Sequence, residues 1–343
     1  MEILITAEQL QQLQEQLPPL PGVARLQTLQ ALAWYWVEKD TSTALNFAHQ
    51  AQDLLSIVHE LDATSRQTIN ARIQLTHAKA AWLDADLKSA ARFAQTVLQE
   101  NQLECAQHNA LLCADAHHVL AMVCNEQSNS AQRNEHWQHC IRYAQLAGDA
   151  LRSALPLVYM AMRAISPDKS LITREFGAYD AQAITAQHPV LACWLFDFWG
   201  VAAFDEGDYA ASISCRQFAY EYAMTTCQLP RAIMCCLSIG MCYGNLNDHD
   251  AALKWKQRGL QLAQECAWPS SMGLCLVSCG ETLRQLHQFA AARTVLQQAF
   301  SALNTLPQSR YYALALRHGG FLALDENDTD LALYSFQALL QHP

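Results

Sequence analysis

A fixed interval between four glycines limits the folds that this chain can adopt. The interval is 40 residues, without slippage, between Gly200, Gly240, Gly280 and Gly320. Small residues also recur twelve positions after each glycine, at Ser212, Ala252, Ala292 and Ala332. Small side chains at a constant spacing predict that two helices approach closely once in every repeat. A period of about 20 to 50 residues with this pattern indicates stacked helical repeats, each packed on its neighbours.

Proline and polar residues predict where the helices of each repeat begin. A proline precedes each glycine-bearing helix, at Pro189, Pro230, Pro269 and Pro307. Proline suits the first turn of a helix, where its missing N–H would have no partner anyway. Polar turns follow, and their Asp and Asn side chains are expected to cap the second helices. The predicted pairs are 190–205/208–226, 231–246/248–266, 270–286/288–304 and 308–325/328–341.

The same frame continues upstream with less regularity. It is anchored at Leu32, Ala78, Leu120 and Met160, with an insertion expected in the third pair, around residues 126–134. This predicts about eight helix pairs over residues 23–343, of which 190–341 are the clearest. Before them, Thr6 opens a capping-box pattern, so residues 1–22 are predicted to form a capping helix and a short linker.

Composition and charge narrow the classes of partner. The chain has 343 residues, 22 of them basic and 32 acidic, and its net charge is −10. No cluster of Lys and Arg is present, so no nucleic-acid or membrane partner is predicted. The 13 cysteines occupy many apolar helix positions, and residues 1–5 are too short for a signal peptide. We therefore expect a reduced, cytoplasmic protein.

No motif for catalysis or for a cofactor occurs in the chain. The patterns G-x-S-x-G, G-x-x-x-x-G-K-[ST], G-x-G-x-x-G and H-E-x-x-H are all missing from the sequence. The chain is therefore predicted to be non-catalytic and to hold no cofactor or metal. One alternative is zinc at His136, His139 and Cys140, which share a helix face. No fourth ligand has a recognisable spacing, so a polar helix face with Cys140 buried beside Trp137 is the preferred interpretation.

The repeats resemble tetratricopeptide (TPR) repeats over residues 192–220, 232–260 and 272–300. The matching positions include Phe196, Trp199-Gly200, Gly207-Asp208-Tyr209, Ala219, Ile239-Gly240, Tyr243, Gly259-Leu260, Phe289 and Ala299. The resemblance implies an all-α, right-handed α-solenoid of about eight TPR-like helix hairpins. It also implies a module that binds a protein or peptide in its concave groove.

The period is longer than is usual in the family and resembles TPR arrays of bacterial signalling proteins. These proteins include diguanylate cyclases with a GGDEF domain and transcription regulators with a helix-turn-helix domain. The stretches 32–36 and 40–45 look like the start of such cyclase arrays. The resemblance implies a sensory region, with an output domain expected after Pro343 or a homodimer through the terminal repeats. The alternatives are a stand-alone adaptor, a peptide-pheromone receptor, and a metal or redox sensor that uses the cysteines and histidines.

In TPR arrays the first helix of each pair lines the groove, and this implies a set of contact residues. Carried over position by position, the predicted groove residues are Trp194, Asp197, Val201, Met234, Met241, Asn245, Glu281, Arg284, Gln285, Arg317 and Phe321. Earlier repeats would add Arg72, Lys79, Trp82 and His117. The large apolar residues of this face, such as Leu237 and Val277, are expected to pack between helices. The aromatic run 34–36 is expected to pack on the N-terminal helix.

Overall fold

A computed structural model describes residues 2–101 and 109–342. Within these ranges the chain forms helices and no strand. The helices, in chain order, are α1 (Ala7–Gln16), α2 (Gly22–Trp36), α3 (Thr41–Ile57), α4 (Ala63–Leu83), α5 (Leu87–Asn101), α6 (Ala110–Glu126), α7 (Ser130–Leu146), α8 (Ala150–Met162), α9 (Lys169–Phe176), α10 (Ala181–Thr185), α11 (Pro189–Asp205), α12 (Tyr209–Thr225), α13 (Leu229–Asn245), α14 (His249–Glu265), α15 (Pro269–Gln285), α16 (Phe289–Ala302), α17 (Arg310–Asp325) and α18 (Thr329–Leu340).

The helices after α1 stack as consecutive antiparallel pairs, which confirms the predicted α-solenoid. The first helices of the pairs are α2, α4, α6, α8, α11, α13, α15 and α17. The fourth pair is irregular, because its second helix α9 has only 8 residues and the short α10 follows it. The insertion expected at 126–134 is wrong: α6 ends at Glu126 and α7 begins at Ser130, as in the other hairpins.

The repeating glycines lie where the two helices of a pair cross. A Cβ placed on Gly200, Gly240, Gly280 or Gly320 would come within 2.8 Å of a side-chain carbon sixteen positions later. Those neighbours belong to the second helices and are Arg216, Lys256, Leu296 and Phe336. Such a distance is too short for two carbon atoms in contact, since their optimal separation is about 3.5–4.0 Å. The 40-residue period therefore marks the close crossing in each hairpin, as predicted.

Capping side chains and prolines account for where several of the helices begin. Asp208, Asp248 and Asp328 each accept a hydrogen bond from the backbone N–H three residues later, which confirms the predicted caps. Prolines stand in the first turn of α11, α13 and α15 as predicted. The expectation for Pro307 is wrong, because α17 begins at Arg310 and its cap is the side chain of Ser309.

The array bends back on itself, so that early repeats touch late ones. Trp268, in the turn before α15, donates its indole N–H to the Thr41 hydroxyl at the start of α3, over 2.8 Å. Near the other end, the Tyr311 hydroxyl of α17 bonds Glu126 at the end of α6, over 3.3 Å. The predicted inter-helix residue Leu237 is buried in the same apolar cluster as Val37 and Ala44. The concave side is consequently enclosed rather than open along its length.

We compared the length and apolar character of the helices with what a membrane-spanning helix needs. Among the described residues, none of the helices combines the length and apolar character that a membrane crossing requires.

Candidate peptide-binding interior

Side chains from successive first helices converge inside the solenoid and surround a small cavity. We call this group the inner cluster; it consists of Ile3, Leu4, Trp34, Glu38, Lys79, Asp115, His118, Leu155, Trp194 and Gln228. The cavity measures about 40 Å³. That volume is enough for one or a few water molecules, each of which needs roughly 10–15 Å³ by this measure. The interior is therefore nearly filled, and part of the filling comes from residues 3 and 4.

A buried ionic network holds the inner cluster in place. Asp115 on α6 lies between two guanidinium groups, Arg72 of α4 and Arg152 of α8. The Arg152 Nε donates to Asp115 Oδ1 over 2.9 Å, and Arg152 also pairs with Asp149. Burial alone would favour the neutral form of Asp115, but the charges of Arg152 and Arg72 outweigh it and hold its pKa at about 2. Three first helices are thereby fixed relative to one another by fully paired charges.

The indole of Trp34 lies close to two cations of α4. The Arg72 guanidinium is 5.1 Å and the Lys79 ammonium 4.8 Å from the ring centroid. Lys79 also pairs with Glu38, which follows α2, over 2.5 Å. Cations over an aromatic face are attracted by its quadrupole. These contacts set the direction of the indole N–H.

That indole N–H contacts the main chain at the start of the protein. Trp34 Nε1 donates to the Ile3 carbonyl over 2.9 Å, and the Tyr35 hydroxyl donates to the Glu2 carbonyl over 3.3 Å. The Ile3 and Leu4 side chains are only 5% and 6% exposed. Burial, together with the charge of Glu2, raises the pKa of Tyr35 to about 12, so its hydroxyl remains a donor. Trp34 and Tyr35 share an apolar cluster with Leu10 of α1, as expected, and they also contact the segment before α1.

Two predicted groove residues, Trp194 and Asp197, stand on α11; Trp194 lines the cavity, and Asp197 is buried one turn farther along the helix. Arg231 of α13 pairs with Asp197 over 2.7 Å and stands 3.7 Å from the centroid of the Trp194 ring. The Trp194 indole N–H donates to the Gln228 side chain over 2.9 Å. Asp197 is buried and already paired with Arg231, so its carboxylate links α11 to α13 and supports the packing around the site.

A second group of residues meets on α15 and α17, and we call it the C-terminal patch. It joins the predicted residues Glu281, Arg284, Arg317 and Phe321 to His318 and Asp325, which were not predicted. Arg284 bonds Glu281 over 3.0 Å and Asp325 over 2.6 Å. Its guanidinium also lies 5.7 Å from the centroid of the Phe321 ring. Burial opposes ionisation of Glu281, but hydrogen bonds from His318 and Arg284 prevail and lower its pKa to about 2. The Phe321 ring is 39% exposed, so this patch is open to a partner.

The remaining predicted groove residues are dispersed over the solenoid. Val201 and Trp82 are half-buried against the core, and His117 is buried. Met234, Met241, Asn245 and Gln285 are exposed. The two methionines occupy the same repeat positions as Trp194 and Val201, which are covered. Of these dispersed residues, His117 contacts His136, and the Gln285 side chain donates to Glu281 over 3.3 Å.

Histidines near the proposed zinc ligands form a cluster that sequence spacing did not reveal. The His117 and His136 Nδ1 atoms are 3.0 Å apart, and the His117 ring stacks on His139 at 4.8 Å. Cys140 is buried beside Trp137, as the polar-face interpretation predicted, and burial raises the pKa of its thiol. Across residues 2–101 and 109–342, no group of three or more His, Cys, Asp or Glu is arranged to hold a metal ion.

Several residues of the interior were missed by sequence reasoning. They are Glu38, Asp115, Arg152 and Arg231, together with the segment 2–5. A signal was present for Asp115, since a lone carboxylate in the apolar run 110–124 is costly to bury unless it is paired. No signal in the sequence identifies its partners, because they lie 43 and 37 residues away.

Comparison with known proteins supports the fold. No family model and no curated protein matches the chain. A Rap protein in complex with competence and sporulation factor matches with a TM-score of 0.60 at 11% identity, over 93% of this chain and 87% of that one. Aspartyl phosphate phosphatase F from Bacillus subtilis matches at 0.45 and 10% identity, over 94% of both chains. A monomeric mutant of IFIT1 with Gppp-AAAA matches at 0.49 and 14% identity, over 97% of this chain and 73% of that one. The first likeness shows that the chain has a TPR-like helical repeat fold.

Proposed function

We propose that the solenoid binds a protein or peptide ligand on its concave side, with the inner cluster as the main contact site. The observation that supports this proposal is the pair of donors on α2. Trp34 and Tyr35 hydrogen-bond the main-chain carbonyls of residues 3 and 2. Every peptide carries such carbonyls, so these donors suit a peptide whatever its side chains.

The surroundings of these donors favour tight binding of a short segment. Full burial of an aliphatic side chain contributes about 1.5–3 kcal/mol, and a typical hydrogen bond about 0.5–1.5 kcal/mol. The paired charges of Arg72, Asp115 and Arg152 hold the donors in position before a ligand arrives. Preorganisation of this kind lowers the entropy that binding must overcome. A Rap protein of similar fold in complex with competence and sporulation factor is consistent with a ligand-binding role.

The test selects peptides from a random library on the full chain and measures their affinity by calorimetry. Trp34→Phe removes the indole donor and is expected to weaken binding by about two- to tenfold, as for loss of one hydrogen bond. Trp255→Phe is the matched control, because this half-buried indole lies on the second helix α14. Failure to select any peptide, or equal affinity for the two variants, would contradict the proposal.

The C-terminal patch is proposed to extend the contact for a longer ligand. Phe321 and Leu324 are exposed there beside the charged groups of α15 and α17. Arg284→Ala and Arg317→Ala are expected to weaken binding of such a ligand without unfolding the chain. Unchanged affinity in both variants would remove the patch from the site.

The role of this binding in the cell is proposed from the resemblance in the sequence. We propose a non-catalytic, cytoplasmic regulatory region of a signalling protein, such as a diguanylate cyclase. A stand-alone adaptor and the sensory region of a helix-turn-helix regulator are the alternatives. Reading the coding frame beyond the codon for Pro343 distinguishes the three. The predicted lack of nucleic-acid binding is tested by a gel shift with single-stranded RNA.

A further inference from the structure

We infer that residues 2–5 are an intramolecular occupant of the ligand site, which a short peptide with two adjacent aliphatic residues displaces. The inference rests on the proposed function and adds the regulation of the site and the class of its ligand. Residues 2–5, which we call the N-terminal segment, have no regular secondary structure. Their hydrogen-bond partners lie 31 and 33 residues away, on α2.

The N-terminal segment fills the interior as a bound peptide would. Ile3 and Leu4 are buried in one apolar cluster with Leu155 of α8 and Trp194 of α11. Its two carbonyls accept from Trp34 and Tyr35. The segment thus combines apolar side-chain burial with hydrogen bonds to its main chain, the pattern expected for peptide recognition.

The helix that follows the segment is anchored without residues 2–4, since Ile5 packs with the apolar cluster of α1. Leu10 and Leu17 of α1 and its C-cap pack in a different apolar cluster, with Leu26 and Leu29 of α2. The Thr6 hydroxyl accepts from the Gln9 N–H over 3.2 Å, and the Gln9 side chain accepts from the Thr6 N–H over 2.8 Å. This capping box satisfies the start of α1 locally. Residues 2–4 can therefore leave the interior while α1 stays folded and packed.

An empty interior would be unfavourable, which couples release of the segment to binding of a ligand. Without Ile3, the indole N–H of Trp34, itself 2% exposed, loses its partner. A buried donor without a partner costs about 1–3 kcal/mol, and exposed apolar surface at Leu155 and Trp194 adds to this. The site is accordingly filled either by the segment or by a ligand. A ligand shifts this equilibrium only by its affinity for the vacated state.

The lining indicates which side chains the ligand carries. Asp115 is paired with Arg72 and Arg152, and Lys79 is paired with Glu38. These charges are matched within the protein, so they provide no pairing advantage for a charged side chain. The side chains of a ligand can instead occupy the space that Ile3 and Leu4 now fill. Two consecutive aliphatic residues, as at Ile3 and Leu4, satisfy both conditions.

The test supplies the segment as a separate molecule. The probe is the peptide acetyl-EILI-amide, titrated into the native chain and into a double variant with Ile3→Ser and Leu4→Ser. The double variant keeps the full length but loses the apolar side chains that hold the segment in place. It is expected to bind the probe at least about tenfold more tightly than the native chain does. Equal affinity in the two proteins would overturn the inference.

A second measurement does not depend on the variant folding. Hydrogen exchange at the amides of residues 3–5 is followed in the native chain, with and without millimolar probe. Faster exchange with probe shows displacement of the segment, and unchanged exchange at saturating probe overturns the inference. Trp34→Phe is expected to reduce the effect.

These outcomes separate the inference from the proposed function. If the probe displaces the segment but no library peptide binds, self-occupancy stands and the proposal of an external ligand fails. If library peptides bind the native chain while exchange in the segment stays unchanged, the ligand site stands and the self-occupancy fails.

Discussion

One added methyl group at Gly240 is expected to destabilise the solenoid. A Cβ at this position would lie 2.7 Å from Lys256 Cγ and 2.9 Å from the backbone oxygen of Ala252. The lysine side chain can rotate away, but the carbonyl belongs to the backbone of α14. Gly240→Ala therefore forces α13 and α14 apart at their crossing.

The size of the loss follows from two opposing terms. Overpacking of a tight contact costs about 1–3 kcal/mol, whereas replacing Gly by Ala inside a helix returns about 1 kcal/mol. A third effect also lowers the stability of the variant. The Lys256 ammonium donates to the buried Thr282 hydroxyl over 2.6 Å, and moving Lys256 disturbs this link between α14 and α15. The expected net loss is about 1–2 kcal/mol.

Urea unfolding, followed by far-ultraviolet circular dichroism, measures this loss. Gly244→Ala is the matched control, since it lies on the same helix and no atom stands within 4 Å of its added Cβ. The control is expected to raise the urea midpoint slightly, because replacing Gly by Ala in a helix stabilises it by up to about 1 kcal/mol. Midpoints are compared because repeat arrays need not unfold in one step. If Gly240→Ala were as stable as the native chain, close helix crossing would not explain the 40-residue period.

Three further predictions concern the buried polar groups. Asp115→Asn leaves two buried guanidinium groups without their shared carboxylate and is expected to cost about 3–5 kcal/mol in urea unfolding. In the native chain, with a pKa of about 2, the contribution of Asp115 is complete above its ordinary value of 3.8 and is lost as the pH falls through 2. Burial raises the pKa of Glu126 from 4.5 to about 7, so native stability falls by about 3 kcal/mol as the pH rises from 4.5 through 7. Glu126→Gln should abolish this fall, and unfolding at pH 5 and pH 8 checks it. Trp268→Phe removes the bond to Thr41 and should lower stability by about 1–3 kcal/mol; small-angle scattering should show a larger radius of gyration, and an unchanged radius would mean that this contact does not close the array.

Much of the repeat architecture could be predicted from local patterns. The glycine period identified the helix crossings, and Asp208, Asp248 and Asp328 marked the starts of second helices. These predictions succeeded because each depends on residues within one hairpin. Pro307 failed for a local reason too, since the Ser309 side chain caps α17 two residues farther on.

The candidate site was only partly predictable. Trp194 and Asp197 were placed on the concave face from the repeat register; Trp194 lines the interior cavity, whereas Asp197 is buried against Arg231. Their partner Arg231 was missed, because its pairing with Asp197 crosses from one repeat to the next. Charges on first helices were expected to meet a ligand, whereas Asp197 and Glu281 are engaged by the protein itself.

The sequence by itself determined the all-helical repeat, the positions of the crossings and most helix ends, since periodic spacing acts through neighbours in the chain. Only the tertiary structure decided that the array bends back on itself and that residues 2–5 enter its interior. The contacts responsible join residues 31 and 227 positions apart, between Trp34 and Ile3 and between Trp268 and Thr41. Such contacts depend on small rotations accumulated over several repeats, and no pattern within one repeat encodes their sum.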